Sequence, residues 1–242
     1  MAEPDFKEVK AHDSEHYLRE EGKREPKESF KFILGEVRDY VSGLDSPRIA
    51  DVGCATGDFL YHTGQAFPDA ELTGIDFYPE LLEQAAADVP GGNFIKADVL
   101  TGEGWPDEQF DAVFMNGVHS IFFEVDPWLD NMLAITKPGG RTFIFGIWNP
   151  DDVDVLTSVR YVDDPDTPRS GWNYVSKTTM TRHLERRGKS AKFTDWEIEM
   201  DLPRDKDDPM RTWTFRREDG TRVTINGAQI VHNFSLLEIT DA

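Results

Sequence analysis

Residues Arg48 to Leu60 read RIADVGCATGDFL. A β-branched, apolar run ends in an acid, Asp51, and then breaks into two glycines four residues apart, Gly53 and Gly57. The run has the composition of a buried strand, and GDFLYHTGQAF after it has that of a helix. A glycine turn between strand and helix lets the chain reverse tightly and lets a ligand approach bare backbone. The spacing is G-x-x-x-G, whereas a dinucleotide pyrophosphate calls for G-x-G-x-x-G. Asp51 sets a negative charge just before the turn, where a phosphate is repelled and an ammonium group is welcome. The stretch therefore points to a cationic ligand and away from a nicotinamide-dependent oxidoreductase.

Working outward, ELTGIDF reads as a strand and PELLEQAAAD as a helix with Pro79 in its first turn. NFIKADV and FDAVFMNGV follow as strands, DPWLDNMLAIT as a helix, and GRTFIFGIW as a strand entered through the turn KPGG. Strand and helix alternating in this way predict an α/β protein with a doubly wound, mostly parallel Rossmann-like sheet and helices on both faces. Ligands of such sheets lie beyond the carboxyl ends of the strands. Upstream, Phe30, Ile33, Leu34, Val37 and Val41 recur at helical spacing, and Pro26 separates this helix from a shorter one before it. Downstream, NPDDVDVLTSVRYVDDPDTPRSGWN is rich in Asp and Pro and reads as a long connection. A helix over Lys177 to Arg187 follows, capped by Ser176 and stopped by Gly188. A strand near Lys192 to Met200, a hairpin turning at Asp219-Gly220 and a last strand near Gln229 to Ile239 complete the chain.

The composition narrows the partners. With 46 acids against 26 bases the net charge of the 242 residues is −20, which opposes binding to phosphate backbones and to anionic lipid. Neither nucleic acid nor membrane is expected as a partner, and a small molecule is. No apolar run approaches the ~18 residues of a membrane span, and the N-terminal MAEPDFKEVKAHDSEH is too polar for a secretory signal. A single cysteine, Cys54, excludes an internal disulfide and a thiolate metal cluster, and with the polar N-terminus it indicates the cytoplasm. HDSEH has no helix-face metal spacing, so no metal site is expected. No sequence feature isolates an apolar face that would fix the oligomeric state.

Three successive strands end in acids. Asp76 closes the second, 25 residues after Asp51, where a carboxylate can accept both hydroxyls of a ribose, and Phe77 beside it can pack on sugar or base. Asp98 closes the third, in reach of an adenine amine. DVGCATG, GIDFYPELLEQA, KADVL, FDAVFMNGVHSI and LAITKPGGRTFIFG, in this order, resemble the class I S-adenosylmethionine-dependent methyltransferases. The resemblance covers Ser46 to Trp148 closely and the elements after Ser176 more loosely. It implies a single domain over 1–242, with a helical lid over 1–43, a cofactor-binding core over 44–148 and a substrate-side elaboration over 149–242, the last strand antiparallel. It also implies that Gly53, Cys54, Ala55 and Gly57 wrap the methionine part of S-adenosylmethionine, that Asp51 acts near its amino group, that Asp76 with Phe77 holds the ribose, and that Asp98 with Val99 brackets the adenine. Ala55 stands where the family often has a third glycine, a mild departure if the backbone angle there is ordinary.

Methyl transfer is an in-line displacement, so alignment and water exclusion matter more than a base. Asn116 and His119, after the fourth strand, fall at the ligand edge: Asn116 as a contact to cofactor or substrate, His119 as a substrate contact and the best-placed general base. Tyr17, Trp148, Trp172 and Tyr174 are the candidate aromatic cover over the transferred methyl, or ordinary packing. The expected activity is methylation of an oxygen or nitrogen of a small metabolite, sugar-like or natural-product-like, leaving S-adenosylhomocysteine. A non-catalytic cofactor-binding protein, or another transfer such as aminopropyl transfer from the same pocket, is the alternative.

Overall fold

In the computed structural model of the chain, residues 25–242 are described. The opening stretch forms β1 (Arg48–Val52), a glycine turn and a helix, α2 (Asp58–Ala66), preceded by α1 (Glu28–Ser42). After them come β2 (Glu71–Asp76), α3 (Pro79–Asp88), β3 (Asn93–Lys96), β4 (Phe110–Asn116), α4 (Asp126–Ala134) and β5 (Thr136–Ile147). β6 (Ser158–Tyr161), β7 (Asp164–Ser170), α5 (Lys177–Glu185), β8 (Lys189–Trp196), β9 (Trp213–Arg216), β10 (Arg222–Ile225) and β11 (Phe234–Asp241) complete the order. Seven strands make one sheet in the order β3-β2-β1-β4-β5-β11-β8. β1 pairs in parallel with β2 and β4, and β4 with β5, while β11 runs antiparallel to both β5 and β8. The sheet is thus the mostly parallel α/β sheet that the alternation predicts, with an antiparallel last strand.

The period of two in the central strands explains why both faces are covered. Ile49, Ala112, Phe114, Phe143 and Leu236 join α1 and Phe59 of α2 in one apolar cluster, through Ile33, Leu34, Val37 and Val41. Their neighbours Ala50, Val113, Ile144 and Leu237 join Trp128, Leu129 and Met132 of α4 and Met180 and Leu184 of α5 on the other face. α1 packs into the core, and residues 1–24 of the expected lid over 1–43 lie outside the described residues. Its Phe30 meets Phe59 edge-on, centroids 5.3 Å apart.

KPGG lies within β5 as a bulge: Phe110 pairs with Thr136, and the register resumes only at Ala112 and Arg141. Asp111 accepts Lys137 Nζ at 2.8 and 2.9 Å across this bulge and so holds the extra residues in place. The Asp- and Pro-rich segment expected as a connection contains the antiparallel ribbon of β6 and β7. Its Val and Tyr favour extended backbone, while Pro165 and Pro168 remove ladder donors and keep the ribbon out of the main sheet. The hairpin at Asp219-Gly220 is present as β9 and β10. Ser176 caps α5 by accepting the Thr179 N–H at 2.9 Å. The last strand starts at Phe234, five residues later than the apolar composition suggested.

Candidate active site

The turn between β1 and α2 is tied to the neighbouring strand end, since Gly53 and Cys54 both donate N–H to the Ile75 carbonyl, at 2.8 and 3.2 Å. Three of its residues have left-handed backbone: Gly53 at φ 75°, Ala55 at 45° and Gly57 at 81°. At Gly53 a side chain is doubly excluded, because a Cβ there would stand 2.5 Å from Cγ2 of Val118. Ala55 corrects one premise: its angle is not ordinary but lies where glycine is at ease, so a methyl group is carried at a cost of about 1–2 kcal/mol. Asp76 is what holds it there, its Oδ2 accepting the Ala55 N–H at 2.9 Å while Oδ1 accepts from Tyr78 at 3.0 Å.

Asp51 and Asp76 end adjacent parallel strands and are both buried. Burial lifts the Asp51 carboxyl well above the usual carboxylate range, the charge of Asp76 adds to that, and a hydrogen bond from Asn116 opposes it. Asp76 is raised too, by burial working against the N–H groups that bind it. Asn116 Nδ2 donates to Asp51 Oδ1 at 3.2 Å, which leaves its own Oδ1 buried without a partner. Two carboxylates and a bare amide oxygen at one strand edge form an acceptor-rich, electronegative corner that a cation with N–H groups would complete.

The other expected residues divide. Cys54 is buried against Leu60, Leu82 and Val89, and burial drives its thiol well up, as befits a small filler. Phe77 is 54% exposed beside Tyr78, free to cover a ligand at Asp76. Asp98 lies two residues past the end of β3, in a turn where its Oδ1 accepts the Leu100 N–H at 2.8 Å. Val99 packs partly into the core, and its carbonyl accepts from Asn131. Tyr17 lies outside the described residues.

His119 and Trp148 require correction. After β4 the chain enters a short 3₁₀ turn, His119–Ile121, that carries the imidazole inward, leaving it 2% exposed. The ring stacks on Trp148 at 4.2 Å and 13°, and its Nε2 donates to the Ile147 carbonyl at 3.1 Å. It fills the space above Gly146, where a Cβ would meet Cε1 at 2.3 Å. Burial holds its pKa down at about 4, against the help of that hydrogen bond. His119 is thus a buried, neutral histidine stacked on Trp148, with its Nδ1 left without a partner. Trp148 is likewise fully buried, its indole N–H donating to the Ser235 carbonyl, so it covers no ligand.

Trp172 and Tyr174 come together around a residue that the sequence reading did not single out, His232. His232 lies 5.0 Å from the Trp172 ring and 5.9 Å from that of Tyr174. It precedes β11, and the signal that could have found it is the antiparallel direction itself: such a strand begins where its parallel neighbours end. Among the described residues no cluster of His, Cys, Asp and Glu could hold a metal ion, and no helix is long and apolar enough to cross a membrane.

Against known proteins, a family model described as "Methyltransferase domain" matches residues 50–142, the span from β1 into β5. Trans-aconitate 2-methyltransferase of Rhodopseudomonas palustris (strain BisB18) is 30% identical over 144 residues, 59% of this chain and 51% of the relative. The chain thus spans about half the length of the curated relatives it matches. Among solved structures, the YcgJ protein of Bacillus subtilis aligns with a TM-score of 0.58 at 15% identity, over 88% of this chain and 99% of that one. CalS10, an amino pentose methyltransferase from Micromonospora echinospora solved with S-adenosylmethionine bound, aligns with a TM-score of 0.56 at 16% identity, over 95% and 98%. Residues 50–142 match a methyltransferase domain, and the sheet order and the glycine turn accord with that match.

Proposed function

We propose that the protein binds S-adenosylmethionine at the carboxyl ends of β1, β2 and β4 and transfers its methyl group to an oxygen or nitrogen of a small metabolite. The observation that carries this reading is the corner of Asp51, Asn116 and Asp76. The buried, unpartnered Oδ1 of Asn116 beside Asp51 suits the amino group of an amino acid, and Asp76 suits a pair of ribose hydroxyls. Gly53, Ala55 and Gly57 offer close backbone approach to the methionine part, Phe77 a wall for the nucleoside, and Asp98 and Val99 the adenine edge.

When bound, the cofactor supplies an electrophilic methyl on a sulfonium, and the acceptor's lone pair forms the new bond as the carbon–sulfur bond breaks toward sulfur. The chain's part is to orient and to exclude water. The buried acids favour a positively charged ligand over its neutral product, which assists release of S-adenosylhomocysteine after transfer. A sugar-like or natural-product-like acceptor fits the acidic surface of the chain, as trans-aconitate, acted on by the named relatives, does less well. One buried cysteine and an acidic composition suit the cytoplasm as the place of action, with no nucleic acid as partner.

Calorimetry with S-adenosylmethionine tests the reading. Wild type binds it, and Asp76→Ala weakens binding by about 10- to 100-fold, the worth of hydrogen bonds to a charged acceptor. Binding of NAD in its place, or wild-type affinity in the variant, would overturn the assignment.

A further inference from the structure

The cofactor reading makes no use of Tyr174 and His232. Both are buried, at 3% and 5% exposure, yet the Tyr174 hydroxyl and both ring nitrogens of His232 lack any hydrogen-bond partner. Each unpaired buried polar atom costs about 1–3 kcal/mol, and folded proteins leave few of them. Three in one place are the mark of a site that a ligand completes. Around them stand rings: the His232 centroid is 5.0 Å from Trp172, 5.9 Å from Tyr174 and 5.9 Å from Phe234.

The sheet puts this group at the edge where transfer would occur. Phe234 pairs with Ile147, so the antiparallel β11 begins where β5 ends. The Trp148 N–H donates to the Asn233 carbonyl at 2.9 Å, and the Asn173 N–H donates to the Ser120 carbonyl at 2.7 Å, fixing both segments to the loops after β4 and β5. Trp172 and Phe234 are only half-buried.

We propose that Trp172, Tyr174, His232 and Phe234 form the methyl-acceptor subsite and that it takes a neutral, hydroxyl-bearing ring. The inference rests on the methyl-transfer reading above and narrows it. A neutral imidazole presents one N–H and one lone pair, and a phenol one O–H and its lone pairs, a mixture that hydroxyl groups match and carboxylates, which only accept, do not. Burial keeps both groups uncharged at neutral pH, holding His232 down at about 4 and pushing the Tyr174 phenol up. The aromatic walls suit the face of a phenol or a sugar. As the acceptor oxygen bonds to the methyl carbon, the carbon–sulfur pair stays on sulfur, and the hydroxyl proton passes to the bare His232 nitrogen. Because that proton becomes strongly acidic as the bond forms, an imidazole of low basicity is sufficient.

The test is transfer from methyl-labelled S-adenosylmethionine by the full chain to catechol, to methyl β-D-glucoside and to trans-aconitate, with cofactor binding measured in parallel. Methylation of catechol, of the glucoside or of both, in excess of trans-aconitate, is the expected result, and which of the two is taken identifies a phenolic or a sugar source. Tyr174→Phe and His232→Phe each lower kcat/KM at least tenfold, leave the cofactor Kd within twofold, and melt no lower than wild type because an orphan polar atom is gone. Preferred methylation of trans-aconitate, no methylation of either neutral probe while cofactor binds, or unchanged kcat/KM in both variants overturns the subsite and leaves the cofactor reading standing. Failure of wild type to bind the cofactor brings down both.

Discussion

Replacing His119 by Gln tests whether this residue is a buried neutral ring or an active base. Gln Nε2 reaches as far as imidazole Nε2, so the hydrogen bond to the Ile147 carbonyl is kept while the titration is removed. The His119 pKa is 6.5 for an unperturbed side chain and about 4 in the fold. Below 6.5 the unfolded chain binds a proton that the folded one refuses, so stability falls as pH drops from 6.5 towards 4 and levels off below. At pH 5.5 this costs the wild type about 1.4 kcal/mol, and at pH 7.5 about 0.1 kcal/mol or less. Both values of pH lie above the isoelectric point of 4.6, so the protein stays soluble in each. Urea unfolding at the two pH values gives the comparison directly. Asp111 and Asp126, held low by Lys137 and Arg187, titrate alike in both proteins, as does His232, and cancel from the difference. The wild type is expected to lose about 1.3 kcal/mol more than the variant between pH 7.5 and 5.5, and the variant keeps its turnover. An equal pH dependence in the two proteins refutes the burial argument, and loss of turnover with cofactor binding intact restores the base role.

Gly53→Ala forces a Cβ into left-handed backbone and against Val118, and is expected to cost about 2–4 kcal/mol; in a double-mutant cycle with Val118→Ala, chemical unfolding should recover about 1 kcal/mol of coupling. At Ala55, glycine relieves strain but frees the unfolded chain, so Ala55→Gly is expected to be neutral or to gain up to about 1.5 kcal/mol, whereas Ala55→Val, branched in left-handed backbone, loses about 2 kcal/mol or more by the same measurement. Asp51→Asn removes a buried carboxylate that burial and Asp76 disfavour. The ligand-free variant should melt higher than wild type while S-adenosylmethionine binding in calorimetry weakens at least tenfold; a variant both less stable and equally avid contradicts the electronegative corner.

The acids at the strand ends were legible because alternation of strand and helix fixes which residues reach the ligand edge, and nothing in Asp51 or Asp76 depends on long-range pairing. His119 was misread for a local reason: its position after β4 is right for the edge, but a three-residue 3₁₀ turn swings the ring back over Gly146 and beneath Trp148. That turn has no sequence signature. The sign of φ at Ala55 was likewise hidden, since it is held by the hydrogen bond that the Ala55 N–H donates to a residue on another strand, Asp76. His232 was not singled out because it precedes the last strand, and in an antiparallel strand it is the start that lies beside the carboxyl ends of its parallel neighbours. The ribbon of β6 and β7 shows the opposite failure, where Asp and Pro obscured extended backbone that needs no partner in the main sheet.

The place of β11 between β5 and β8 has a consequence for biosynthesis. β8 touches the main sheet only through β11, which is made after every strand it joins. Until it emerges, β5 presents an open apolar edge holding Phe143, Ile144 and Phe145, and β8 has nowhere to dock. The Rossmann-like half can assemble from neighbouring segments as they are synthesised, but closure waits for a contact that spans from β5 to β11 and is correspondingly slow. Nascent chains stalled before Phe234 are therefore the form most exposed to edge-to-edge association, and the step that seals the sheet is the same one that sets His232 beside Trp172 and Tyr174.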